Sequence, residues 1–201
     1  MTKHIITISR QYGSGGREIG ERLAAHLGYA YYDRELIRRA AQEGNFNEEF
    51  VKEDGEGVLG RFSSLLSYAN TAVGKDEDTL PLPDRMFLVQ SRIIRQIAKE
   101  GPCVIIGHSA DYFLADYPSI LNIYIHSNWD ARVARVMRRN SLDEHSAVAR
   151  IRKTDRQRAV FYEQHTGQKW GMADNYHLSL SSSHFGIDGS VALIASVATT
   201  E

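Results

Sequence analysis

The chain has 201 residues, a hydrophobic fraction of 42% and a charged fraction of 24%, with a formal net charge of -1. That length supplies one sizeable core and is short for two ordinary domains. Near-neutral charge argues against bulk DNA or RNA binding, and no apolar run approaches the length of a membrane span. The single Cys103 lies in an apolar run and has no internal disulfide partner. It is read as a buried, inert thiol, and a reduced cytoplasmic setting is expected.

Short apolar runs alternate with helical patterns along the chain. His4–Ser9 reads as a first strand and runs into a glycine cluster. Arg17–Leu27 carries Ile19, Leu23 and Leu27 at helical spacing and stops at Gly28. Tyr29–Tyr32 reads as an aromatic strand, and Asp33 as the cap of a helix over Arg34–Gln42. Residues 45–83 turn acidic and then polar, and end in Pro81-Leu82-Pro83. They are read as a partly helical insertion covering a site, against the plainer alternative of a solvated linker.

Asp84 is expected to cap a helix with Met86, Val89, Ile93, Ile94 and Ile97 on its apolar side, broken at Gly101-Pro102. Cys103–Ile106 is apolar throughout and Ile120–Ile125 is read as another such strand, with Asn122 its one strongly polar residue, as in strands buried on both faces. A basic helix (Trp129–Arg139), a turn near Asn140–Leu142 and a long polar helix (Asp143–Gln164) follow. Tyr176–Leu180 is the last predicted strand and Ile187–Val197 the last helix. The alternation predicts an α/β protein with a parallel sheet covered on both faces.

The segment from Ser9 to Ile19 (SRQYGSGGREI) sits between a strand and a helix. Glycines there let backbone N–H groups turn inward, and the helix start adds partial positive charge; together these bind phosphate oxygens. Gly13, Ser14, Gly15, Gly16, Arg17 and Glu18 are therefore the candidate ATP phosphate-binding residues. The pattern departs from G-x-x-x-x-G-K-[ST]. Arg10 and Gln11 lie five residues before Gly15 and Gly16, Arg17 replaces the lysine, and Glu18 stands where the magnesium-binding hydroxyl is expected. A tight strand-to-helix turn without a ligand is the alternative reading of the loop.

Several segments, in this order, resemble the cytidylate kinase-like family of nucleoside monophosphate kinases. They are IITISRQYGSGGREIGERLA, GYAYYDRELI, VIIGHSADYFL, DRQRAVFYEQHTGQKWG and NYHLSLSSS. The resemblance implies a single three-layer kinase domain over residues 1–201, with a five-stranded parallel sheet in the order 2-3-1-4-5. It also implies an acceptor-binding insertion at about 45–83 and a lid at about 138–165. The implied activity is transfer of the ATP γ-phosphoryl group to a nucleoside monophosphate, CMP or dCMP first, with Mg²⁺ carried by ATP and no protein metal site.

Carried over by position, Asp33, Arg39, Arg92, Asp155 and Arg158 match residues that contact the acceptor's base or phosphate. Gln90 and Arg92 match a Gln-Arg pair, here separated by Ser91. His108 follows Gly107 where the family offers an arginine to the acceptor phosphate, and Asp111 belongs to the same segment. Phosphoryl transfer needs positioning and charge cancellation, so arginines are expected around one cleft. Arg132, Arg135 and Arg138 recur on one helix face, and Asp155 is spaced to hold Arg152 and Arg158. Arg17, Arg138, Arg139 and Asp155 are the catalytic candidates, with Arg138 and Arg139 assigned to the lid. A solvated, ion-paired surface is the alternative for the basic helices.

Phe161, Tyr162 and Trp170 are read as packing residues rather than base-stacking ones, and no histidine pair has metal-ligand spacing. The partners expected are small nucleotides, with no nucleic acid or membrane; a homodimer is compatible with the sequence. Two other functions stay open: a nucleotide-binding regulatory module without transfer activity, and a kinase of a different small metabolite.

Overall fold

The computed structural model describes residues 4–33 and 82–200. The predicted helix over 34–42, the insertion at 45–83 up to residue 81, and Arg39 lie outside the described residues. The elements are β1 (Ile5–Arg10), α1 (Gly16–Leu27), β2 (Ala30–Tyr32), α2 (Leu82–Glu100), β3 (Cys103–Ile106) and α3 (Ala110–Phe113). They continue with β4 (Ile120–His126), α4 (Trp129–Asn140), α5 (Glu144–Thr166), a 3₁₀ turn (Ala173–Asn175), β5 (Leu178–Ser181) and α6 (Ser182–Thr199). The five strands form one parallel sheet in the order β2-β3-β1-β4-β5. This is the order the family resemblance implies.

The period-two pattern of the strands splits the core into two layers. Ile5, Cys103 and Ile105 pack with Met86, Val89, Ile93, Ile94 and Ile97 of α2 on one face. Ile6, Ile8, Val104, Ile106, Leu121, Ile123 and Ile125 pack with α1 and α6 on the other. Strands covered on both faces have no solvent side, which is why β1, β3 and β4 are mostly apolar, and the buried Thr7 donates to Asn122 Oδ1 at 2.7 Å. A third cluster ties Tyr12 of the glycine loop to Val133 and Val136 of α4 and Ala147 and Ile151 of α5. Cys103 is buried as expected, and burial pushes its thiol pKa up to about 12. Trp170 packs edge-on against Tyr124, and Phe161 against Phe87 and His165.

Some boundaries move. Asp84 is not a cap: it lies in the first turn of α2, with its carboxylate 3.3 Å from Nε2 of His165. The last strand begins two residues later than Tyr176, because the 3₁₀ turn occupies Ala173–Asn175. α6 starts at Ser182 and bends at Gly186, whose φ of 68° interrupts the helical backbone. Asp143 caps α5 by accepting the N–H of Ser146 at 2.7 Å, and that bond holds its carboxyl pKa below the usual value. Among the described residues no helix is long and apolar enough to cross a membrane.

Candidate functional site

β1 and β4 are neighbours whose following connections run to opposite edges of the sheet, and ligand crevices form at such a switch point. The glycine loop lies there. Gly13 (φ 80°) and Gly15 (φ 82°) hold left-handed backbone that side chains disfavour. A Cβ on Gly13 would also stand 2.9 Å from the carbonyl oxygen of Arg132. The loop thus needs glycine both for its turn and for its packing on α4. It delivers the chain to the N-terminus of α1, where backbone N–H groups lack helical partners.

Ser14 is turned inward: its hydroxyl donates to the carbonyl of Gln11 at 2.8 Å, and its own carbonyl accepts from Ser182 Oγ at 2.5 Å. Its contribution to a phosphate is thereby confined to the backbone N–H, and this in turn donates to Gln11 O at 3.2 Å.

A cleft of about 170 Å³ opens over the loop. Five arginines line it (Arg10, Arg17, Arg135, Arg139 and Arg158) together with Glu18 and Glu21. Glu18 accepts from Arg135 at 2.8 Å and from Arg22 at 2.7 Å, so the first turn of α1 is tied to α4. A polyphosphate fits this donor set of helix N-terminus, glycine loop and guanidinium groups. The Glu21 carboxylate is a hard oxygen donor in the lining, which suits a magnesium ion held mainly by phosphate and water. Arg139 lies in the cleft lining, whereas Arg138 is exposed and outside it.

Asp155 takes a different place from the one its spacing predicts. Its Oδ1 accepts the N–H of Tyr12 at 2.7 Å, and its Oδ2 pairs with Nη2 of the buried Arg132 on α4. Arg132 Nε in turn donates to the carbonyl of Tyr12 at 2.8 Å. Asp155 faces inward, and its carboxylate makes a bond across two helices that spacing along α5 does not predict. Arg152 lies over Trp129, with Arg132 on the same ring, at 5.7 and 5.6 Å. Arg158 is buried and donates to the carbonyl of Arg10 at 2.7 Å.

The acceptor-side candidates divide into two groups. Asp33 is buried at the end of β2, with Oδ2 2.6 Å from Arg17 Nε and Oδ1 4.0 Å from Arg10 Nη2. His108 follows Gly107 at the end of β3; burial, then Arg10, Arg158 and Arg17, lower its pKa to about 4 against the opposing pull of Asp33. His108 (φ 60°) and Ser109 (φ 54°) are consecutive non-glycine residues in left-handed backbone, a strain that concentrates at functional sites. Asp33, His108, Arg17 and Arg158 form one electrostatic group beside the loop.

Asp111 lies apart from the cleft lining. It accepts the Tyr162 hydroxyl at 2.7 Å, and burial raises its carboxyl pKa to about 6. Its Oδ1 and the Oε1 of buried Gln90 make no hydrogen bond among the described residues. Arg92 is exposed on α2.

Sequence reading missed Arg10 as a site residue, and missed the pairing of Arg135 with Glu18. The signal for Arg10 was a cationic residue at the end of the first strand, just ahead of the glycine loop.

A parallel sheet in the order 2-3-1-4-5, with a glycine loop leading into α1 and arginines gathered over it, defines the class: a P-loop kinase-like α/β protein. Within that class the chain belongs to the cytidylate kinase-like family, whose model matches residues 5–184. Among solved structures it is similar to an uncharacterized protein from Eubacterium ventriosum (22% identity, TM-score 0.71, covering 98% of this chain and 99% of that one). It is similar also to TT1252 from Thermus thermophilus (19%, TM-score 0.57, all of both chains). A shikimate kinase from Bacteroides thetaiotaomicron shares the fold at 11% identity and TM-score 0.53, covering 96% of this chain and 97% of that one. No curated protein matches the chain in sequence.

Proposed function

We propose that this protein is an ATP-dependent phosphotransferase whose acceptor is a nucleoside monophosphate, CMP or dCMP in preference to others. The observation that carries the reading is the joining of two half-sites by Arg17. It leaves the glycine loop at the start of α1 and pairs with Asp33 at 2.6 Å, the acidic residue that the family resemblance assigns to the acceptor. One guanidinium therefore lies between the donor phosphates and the acceptor.

In the reaction, an oxygen of the acceptor phosphate forms the new bond to the γ-phosphorus as the bond from γ-phosphorus to the β–γ bridging oxygen breaks, releasing ADP. An ionised acceptor phosphate has no proton to lose, so Asp33 orients the acceptor and no obligatory base is needed. Magnesium bound with the triphosphate would neutralise its negative charge. Arg17 stands where a lysine is usual, and its planar fork spans two oxygens where an ammonium offers a point charge. Arg139 and Arg135 reach the cleft from α4, and the helix–turn–helix of α4 and α5 is the element that would close over ATP. Asp155 acts through Tyr12, holding the loop in shape rather than touching the reacting atoms.

The test is ADP release in a coupled assay with CMP, dCMP, UMP, AMP and non-nucleotide acceptors. ADP formation strongest with CMP or dCMP is expected. Formation only with a non-nucleotide acceptor would replace the acceptor class. ATP binding without release for any acceptor would point to a regulatory module, the reading favoured by the missing lysine.

A further inference from the structure

Arg10 ends β1 immediately before Gln11, which occupies the first-glycine position in the register that puts Arg17 at the lysine. A long cationic side chain at this point needs room, and two glycines from separate segments provide it. A Cβ on Gly16 would lie 2.6 Å from Arg10 Cβ, so the stem rests on the start of α1. A Cβ on Gly107 would overlap Arg10 Nη1 and stand 3.2 Å from Cζ, so the guanidinium rests on the turn after β3. The side chain thus runs from the loop toward the acceptor-side group and ends 4.0 Å from Asp33. That is the longer of the two pairs Asp33 makes, since Arg17 holds its other oxygen at 2.6 Å. Arg158 secures the Arg10 backbone through its carbonyl.

The neighbour of Gly107 is His108, and the guanidinium resting on Gly107 brings a permanent charge beside it. A second cation beside it is disfavoured by like-charge repulsion, in keeping with a neutral His108.

We propose that Arg10 is the cation that receives the acceptor's phosphate, and that Gly16 and Gly107 leave the room its side chain occupies. The ligand chemistry is a phosphate monoester or free phosphate, held by the guanidinium fork. The identity of the acceptor rests on the proposed phosphotransferase reading; the anion site does not.

Isothermal titration with CMP and, separately, with inorganic phosphate tests this in the presence of magnesium-ADP, which fills the glycine loop. The proteins are the wild type, Arg10→Gln, Arg10→Lys and His108→Gln, each checked by thermal melting. Arg10→Gln is expected to weaken both ligands at least about tenfold, as loss of a charge-assisted bond does. Arg10→Lys keeps the charge and packing stem but loses the fork, and should fall between.

His108→Gln, at the neighbouring position, should lose less affinity than Arg10→Gln for both ligands; the groups facing His108 are Arg10, Arg17, Asp33 and Arg158.

Equal affinity in wild type and folded Arg10→Lys and Arg10→Gln would overturn the assignment, as would a large loss confined to His108→Gln. Absence of phosphate binding to the wild type would also overturn it. Arg10-dependent binding of inorganic phosphate without CMP binding would support the anion site and count against the nucleotide acceptor alone.

Discussion

Asp155→Ala should destabilise the protein far more than loss of one surface ion pair would. The carboxylate holds two groups: the N–H of Tyr12 at 2.7 Å and the guanidinium of Arg132, which is 5% exposed. Orphaning a buried N–H costs roughly 1–3 kcal/mol. Stranding a buried charge costs about 3–5 kcal/mol where the pair is fully enclosed. The Asp155 side chain is 19% exposed and Arg132 keeps its bond to the Tyr12 carbonyl, so water and the remaining partner offset part of this. A net loss of about 2–4 kcal/mol follows, since such terms overlap rather than add. For a chain of this size that lowers Tm by roughly 5–15 °C.

Asp155→Asn keeps an acceptor for Tyr12 and loses only the charge, so it should fall between. The double change Asp155→Ala with Arg132→Met should be less damaging than the sum, because no charge is left stranded. Urea titration of the wild type, these three variants and the Arg132→Met single variant measures all of these. A loss below about 1 kcal/mol for Asp155→Ala, or strict additivity in the double variant, would refute the brace.

Gly13→Ala forces a side chain into left-handed backbone and to within 2.9 Å of Arg132 O and Val136 Cγ2. It should cost about 1–3 kcal/mol in urea unfolding and weaken triphosphate binding by calorimetry. Arg17→Ala should lower turnover about 100- to 1,000-fold with an unchanged circular dichroism spectrum, as loss of a charge-stabilising donor does; unchanged turnover removes Arg17 from the mechanism. Asp111 has its folded pKa raised to about 6, chiefly by burial, so the folded state holds its proton more tightly than the unfolded chain does. Its stabilising contribution is complete below the unfolded value of about 3.9 and is lost as pH rises through about 6. Asp111→Asn stays neutral, so wild type should lose stability relative to it between about pH 4 and 6 and run parallel above about pH 7. A gap that does not change over that range would contradict the burial of Asp111.

The sheet was readable because its central strands are mostly apolar, short and bounded by glycine, proline or polar residues. Ile5–Ile8, Cys103–Ile106 and Ile120–Ile125 have core on both sides, and their polar Thr7 and Asn122 bond to each other. Helix α1 was equally plain from Ile19 and Leu23 and from Gly28 at its C-cap. The short α3 was not, since four residues after two left-handed positions carry no periodic signal. Strand β5 was misplaced by two residues because Tyr176, apolar and aromatic, serves the packing of Tyr124 from outside the strand.

By itself the sequence determined where a phosphate loop would lie, which segments would form a parallel sheet, and which family pattern joined them. Strand order and the site's candidate residues came through that resemblance rather than through local pattern. Only the tertiary structure decided the partners of the charges. Asp155 meets Arg132 and Tyr12, Arg17 meets Asp33, and Arg10 enters the space left by Gly16 and Gly107. Spacing along a helix limits which charges are able to meet locally. Which of them do meet depends on the direction each face takes once the layers are packed, and on where a missing Cβ leaves room for a guanidinium.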